Sequence, residues 1–137
     1  SARVHILNSL YGVRLKPSRR ALGMELLPMA CLNSVTLLGA EVVGRAYGGG
    51  LLKLEPREAD QLPVPSDASL LECSNALRAI RPQLNLALRR NDLEGAVKLI
   101  DPILFPQLTP PVLDSLRNAR EFLFRRRKAR GSNGPYR

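Results

Sequence analysis

The sequence predicts an α+β fold that is mostly α: a small N-terminal strand-helix-strand unit followed by a three- to four-helix C-terminal bundle. Three observations predict it. Residues 3–15 alternate apolar and polar side chains, as half-buried strands do. Gly48-Gly49-Gly50, then Leu51 to Leu54, then Leu62-Pro63-Val64-Pro65 read as helix stop, short strand and extended exit. Beyond Pro65, apolar residues recur three and four apart in successive runs, the spacing of helices that bury one face. The chain is expected to divide into a unit over 1–65, a helical hairpin bundle over 66–130 and a frayed tail over 131–137.

In order along the chain, Val4, Ile6, Leu10 and Val13 alternate with Arg3, His5, Asn8 and Arg14, giving one or two strands with a bend at Tyr11-Gly12. Lys16-Pro17-Ser18-Arg19-Arg20 is a basic turn whose serine can cap the next helix. That helix is expected from Ala21 to Tyr47, in one or two pieces, with Pro28 kinking it or marking a boundary near Leu27. Asn33-Ser34 falls inside this helix or at a break in it. Arg45 and Tyr47 close it, where a cation suits the helix dipole. Three consecutive glycines then stop it, since each costs about 1 kcal/mol in a helix relative to alanine. Glu55-Pro56 opens a helical turn, proline being suited to the first helical position.

Ser66-Asp67 caps a helix carrying Leu70, Cys73, Leu77 and Ile80, which Pro82 is expected to break while starting its continuation through Leu84 and Leu88. Asn91-Asp92 is a turn and cap before a helix from Leu93 to Leu104, with Ala96, Val97 and Ile100 inward. Thr109-Pro110 caps a last helix to about Lys128, with Val112, Leu116, Ala119 and Leu123 on one face.

The 137 residues suffice for one domain or two small ones, and the 45% apolar fraction supports a buried core. Aromatics are only 4%, so aliphatic side chains fill that core, and no aromatic stacking platform for single strands is expected. The net charge of +9 points to a polyanionic partner, above all nucleic acid. Cys31 and Cys73 sit in apolar runs and read as free thiols in a reducing, cytoplasmic compartment, with neither a disulfide framework nor a zinc site. The apolar run from Ala21 to Val43 contains Glu25, Pro28, Asn33 and Glu41 and is not read as a membrane span. The chain begins Ser1-Ala2 rather than with methionine, so it is expected to be trimmed or a portion of a longer protein.

The glycine run lacks the Lys-Ser/Thr of a phosphate-binding loop and comes after a helix rather than before one, so a plain turn is the better reading. Glu25, Glu41, Glu55, Glu58 and Asp60 form no paired catalytic arrangement, and Glu58 and Asp60 near Arg57 read as a solvated, charge-balanced turn. The serines have no histidine placed to activate them, so neither nucleophilic catalysis nor a metal site is supported. Arg125-Arg126-Arg127-Lys128 with Arg130 is the strongest electrostatic feature. It reads as phosphate-contacting, against the alternative of a solvated helix end. A second basic set is Arg14, Lys16, Arg19, Arg20, Arg45 and Lys53, which forms a patch flanked by Tyr47 if the fold gathers some of them.

Leu32-Asn33-Ser34, then Gly44-Arg45-Ala46-Tyr47-Gly48-Gly49-Gly50-Leu51-Leu52-Lys53-Leu54-Glu55-Pro56, then Leu62-Pro63-Val64-Pro65, resembles the C-terminal part of bacterial adenine-specific DNA methyltransferases of restriction-modification and related phage-defence systems. There a Leu-Asn-Ser helix, a glycine-rich turn, a short strand and a proline-rich exit recur in the target-recognition region. The turn and exit also occur in type I specificity subunits. Val97-Lys98-Leu99-Ile100-Asp101 and the arginine-rich last helix are similar to the closing segment of those enzymes. The resemblance covers most of the chain.

The family's methyl-donor loop and catalytic tetrapeptide have no counterpart here. Thr109-Pro110-Pro111-Val112 lacks the aromatic that stacks on a flipped base. The resemblance therefore implies a non-catalytic, target-recognition portion that contacts duplex DNA and works with a methyltransferase catalytic domain in the same or a neighbouring chain. S-adenosylmethionine belongs to the full-length enzyme and no cofactor to this chain. Arg45, Tyr47 and Lys53, flanking the glycine turn, are the first candidates for contact. The alternative is a helical module that docks a partner subunit, with a basic tail for solubility.

Overall fold

The computed structural model describes residues 13–132. It is mostly helical with a single small hairpin: α1 (Arg20–Ala30), α2 (Ser34–Val43), β1 (Arg45–Tyr47), β2 (Leu51–Lys53), α3 (Pro56–Ala59), α4 (Asp67–Glu72), α5 (Ser74–Arg89), α6 (Leu93–Leu104) and α7 (Pro110–Ser132). The expected class, a small α/β portion ahead of a helical bundle, is what is found. Val13 to Lys16 form no sheet. The rest of the strands expected over residues 3–15 and the tail past 132 lie outside the described residues.

The aliphatic core comprises Leu26 and Ala30 of α1, Leu70 of α4, Leu77 and Leu84 of α5, and Ala96 and Ile100 of α6. Each is at most 2% exposed. Burying a leucine contributes roughly 2 kcal/mol, so this cluster dominates stability. α1 packs on α4 and α5, and α5 packs on α6. At the rim, Arg78 of α5 reaches Glu25 of α1 through Nε–Oε1 (2.9 Å) and Nη2–Oε2 (2.8 Å). Both thiols are half-buried and unpaired with each other. Cys73 Sγ donates to Ile103 O, and desolvation pushes both pKa values up.

The long helix expected from Ala21 to Tyr47 is two helices meeting at 82°. The break falls at Cys31 to Asn33, and Pro28 lies inside the last turn of α1 rather than at the boundary. Asn33 makes the corner. Its side chain, 1% exposed, caps α2 by accepting from Thr36 N (2.8 Å). Its Nδ2 donates to Ala30 O (2.6 Å) and Thr36 Oγ1 (2.9 Å), and Thr36 Oγ1 donates to Pro63 O (2.8 Å). One amide thus ends α1, starts α2 and, through Thr36, ties down the proline-rich exit. Among the described residues no single helix is long and apolar enough to cross a membrane.

Arg45 to Tyr47 do not finish a helix; they form β1, antiparallel to β2. The glycine run is accordingly the hairpin turn, not a helix end. Gly49 and Gly50 have φ of 71° and 73°, the left-handed region that other residues reach only with strain. Gly50 is buried as well: a Cβ there would come 3.1 Å from Lys128 Cα.

The capping signals at Ser66 and Asp92 hold, since Ser66 Oγ accepts from Ser69 N and Asp92 Oδ1 from Gly95 N. Ser18 does not cap α1, because it lies inside the turn Pro17–Arg19 and the N-cap position falls to Arg19, which makes no side-chain cap. The break expected at Pro82 falls at Cys73 instead, between α4 and α5, and Pro82 lies inside α5. It sits on an exposed side, while Leu77 and Leu84 anchor the helix before and after it, outweighing its lost hydrogen bond. In α7 the expected apolar face is displaced. Val112 is 44% exposed and Ala119 is exposed, whereas Leu113 is buried and Leu116, Arg117, Arg120, Leu123 and Phe124 are half-buried. α7 lies along α2 and against the hairpin through this mixed, partly cationic face.

Candidate nucleic-acid interface

The hairpin sets the geometry. In its register Arg45 opposes Lys53, Ala46 opposes Leu52 and Tyr47 opposes Leu51. Directly opposed residues point to the same side of a sheet and alternate along each strand. Arg45, Tyr47, Leu51 and Lys53 therefore share one face, and Ala46 and Leu52 share the other. On the second face Leu52 is half-buried and packs toward Gly44 while Ala46 is exposed, so the first face is the more exposed of the two. On the first face Arg45, Tyr47 and Leu51 are exposed and Lys53 is half-buried. Lys53 Nζ lies 5.2 Å from the Tyr47 ring centroid and 2.8 Å from Glu55 Oε1. The three candidates flanking the glycine turn thus come together as one surface.

Arg45 is oriented rather than free. Its Nε and Nη2 both donate to Glu58 Oε1, at 2.8 and 2.5 Å. That hydrogen bonding holds the Glu58 carboxyl below its usual range and raises the arginine. Glu58 is not part of a solvated turn, as its side chain is only 13% exposed. Sequence reasoning missed it because its partner stands thirteen residues upstream on another element.

The basic run of α7 arrives beside the hairpin tip, where Gly50 rests on the backbone of Arg127 and Lys128. Arg125, Arg126, Lys128 and Arg130 are exposed there, and Arg125 pairs along its own helix with Glu121 at 2.7 Å. Arg127 is turned inward. Its Nε and Nη2 donate to the two oxygens of Glu41, at 2.9 and 2.8 Å, and its Nη1 donates to Gly50 O. Glu41 is 4% exposed, and its hydrogen bonds raise the arginine pKa. The Phe124 ring takes the Arg120 and Arg127 guanidinium groups at 4.9 and 5.2 Å. Arg127 therefore fastens α7 to α2 and to the hairpin turn.

A second buried anion supports the same helix pair. Asp101 of α6, fully buried, accepts from Ser34 N (2.8 Å), Ser34 Oγ (2.6 Å) and Arg117 Nη1 (2.5 Å). It caps the start of α2, where the helix dipole favours an anion, and pairs with α7. Beside it runs a groove of about 380 Å³ lined by Leu37, Leu93, Val97, Arg117, Arg120 and others. Asp101, Ser34, Glu41 and Arg117 were not singled out for these roles from the sequence. The available signal is positional: Asp101 lies four residues beyond Val97, on the buried stripe of α6.

The remaining candidates stand apart. Arg14, Lys16, Arg19 and Arg20 are exposed around the start of α1, with Arg19 paired to Asp67 at 2.8 Å. α1 and α2 meet nearly at a right angle, so the free end of α1 and the hairpin lie on the order of 20 Å apart at helical rise. The set of six cations is divided, with Arg45 and Lys53 joining the end of α7 rather than the start of α1.

A family model described as the C-terminal domain of the Type II methyltransferase M.Eco57I matches residues 1–105. The match spans α1 to α6 and the hairpin, and stops before α7. No curated protein and no solved structure matches the chain.

Proposed function

Because the chain belongs to the family of the M.Eco57I methyltransferase C-terminal domain, we propose that it is the target-recognition portion of an adenine-specific DNA methyltransferase. In this reading it binds duplex DNA in the cytoplasm and leaves methyl transfer to a catalytic domain in the same or a neighbouring chain. That domain, rather than this one, takes S-adenosylmethionine. The observation that carries the reading is the joint surface of the hairpin and α7. A two-stranded ribbon is narrow enough for the major groove. Its more exposed face offers Arg45, Tyr47 and Lys53, and Arg125, Arg126, Lys128 and Arg130 lie beside its tip for backbone phosphates. Arg127 holds the two parts together instead of touching DNA. Arg14, Lys16, Arg19 and Arg20 supply a separate phosphate-contacting cluster.

Titration of the chain with duplex DNA over a range of salt tests this. Affinity is expected to fall steeply as salt rises, and Arg126→Glu or Lys128→Glu to flatten the logarithmic slope by about 1 each. Binding that ignores salt would favour the alternative, a module that docks a partner subunit. A methyl-transfer assay on this chain alone is expected to be blank.

A further inference from the structure

Arg45 differs from every other exposed cation on the hairpin and α7 in how it is held. Two of its donors, Nε and Nη2, converge on a single oxygen of Glu58. The arginine side chain is 61% exposed while the carboxylate beneath it is 13% exposed. The other oxygen, Glu58 Oε2, is buried and has no hydrogen-bond partner among the described residues. The inner edge of the guanidinium is therefore occupied by an anion anchored in α3. The outer edge, Nη1 with the second hydrogen of Nη2, is left over.

A residue meant only to attract phosphate gains nothing from this arrangement. A paired arginine contributes little net charge, and counterion release rewards net charge. What the pairing does provide is direction: a planar fork whose rotation is restricted before DNA arrives. The outer edge of a guanidinium matches two acceptors side by side, and in the major groove the guanine O6 and N7 present that pair. The residue stands on a ribbon of the width that groove admits.

We propose that Arg45 reads a guanine through its outer edge, with Glu58 as the positioning residue that aims it. This deepens the target-recognition reading and rests on it. Arg45 donates one hydrogen bond to O6 and one to N7, while Glu58 keeps the inner edge.

The test uses the full chain. A selection from randomised duplexes comes first, then anisotropy titrations of the winning duplex and of one with 7-deazaguanine at the dominant guanine, which removes the N7 acceptor. The wild type is expected to lose roughly tenfold in affinity on that replacement. Arg45→Ala brings the ratio of the two affinities close to one, and so does Glu58→Ala. Glu58→Gln, which keeps an acceptor oxygen, restores much of the ratio. Partial unfolding lowers affinity for both duplexes alike, so the ratio separates aiming from stability. Salt-dependent binding with no preferred guanine, or a ratio indifferent to Arg45→Ala or to Glu58→Ala, overturns this proposal and leaves the target-recognition reading standing. Absence of salt-dependent binding overturns both.

Discussion

The molecule has two interiors. Around Leu26, Leu70, Leu77, Leu84 and Ile100, α1, α4, α5 and α6 meet through a fully buried core of aliphatic side chains. Where α7 lies along α2 and the hairpin, the buried groups include Asp101, Ser34, Arg127 and the nearly buried Glu41. The aliphatic interior is held by area and volume, which many side chains satisfy. The polar seam is held by direction: each buried charge has a partner at hydrogen-bond distance, and loss of either partner strands the other. The first interior makes the chain fold, and the second fixes the hairpin and the end of α7 in one relative position.

The largest effect that can break this comparison comes from matched substitutions of nearly constant volume. Asp101→Asn is expected to cost about 3 kcal/mol, because Arg117 loses its buried anion and the start of α2 its charged cap. Leu77→Met is expected to cost less than about 1.5 kcal/mol. Urea unfolding midpoints compare the two, and equal costs would erase the distinction.

Next in size is the Arg127–Glu41 pair. Arg127→Met alone is expected to cost about 2 kcal/mol by leaving Glu41 buried and unpaired, whereas Glu41→Leu with Arg127→Met recovers most of that loss. A double variant as unstable as the sum of the two single ones would show that the seam is not held by pairing.

The smallest effect is at two ion pairs outside both interiors. The carboxyls of Glu25 and Glu58 titrate below their usual range because Arg78 and Arg45 hydrogen-bond them. A carboxyl whose folded pKa is depressed stabilises the fold fully above its unfolded value, about 4.3 for glutamate, and loses that contribution as pH falls through the folded value. Thermal stability should therefore drop below about pH 4, and Glu25→Gln should make the drop shallower. A melting profile that keeps its full acid slope in Glu25→Gln would remove this pair from the account.

The two interiors were not equally legible. The caps at Ser66 and Asp92, the hairpin strand at Leu51 and the inward face of α6 were readable because each is set by neighbours within four residues. β1 was not. Arg45-Ala46-Tyr47 has no β-branched residue, is separated from an apolar helix by the single residue Gly44, and becomes a strand only by pairing with Leu51 to Lys53. The corner at Asn33 was visible as one of two options, and the buried amide that decides between them acts partly through Pro63, beyond local reach.

The inward face of α7 was hidden by chemistry. Its stripe runs through Leu113, Leu116, Arg120, Leu123 and Arg127, so two of five positions carry charge and a hydropathy pattern points elsewhere. Glu58 was hidden by distance, its role depending on an arginine of another element. The candidate cations were all readable as cations. Which of them point outward, which are held, and which are consumed by the fold depended on pairings that the order of residues does not encode.

If the chain binds duplex DNA as proposed, the right angle between α1 and α2 bears on how much of the duplex it covers. Stacked base pairs advance 3.4 Å along each strand. A straight duplex that touches both cationic clusters therefore runs beneath the protein for about six base pairs at least. That is more than half a helical turn, so the strand met at one end has wound partly around the axis before it reaches the other. On that reading a footprint protected from nucleases is expected to be no shorter than this, and the corner at Asn33, by holding α1 and α2 at their angle, sets the spacing of the two clusters.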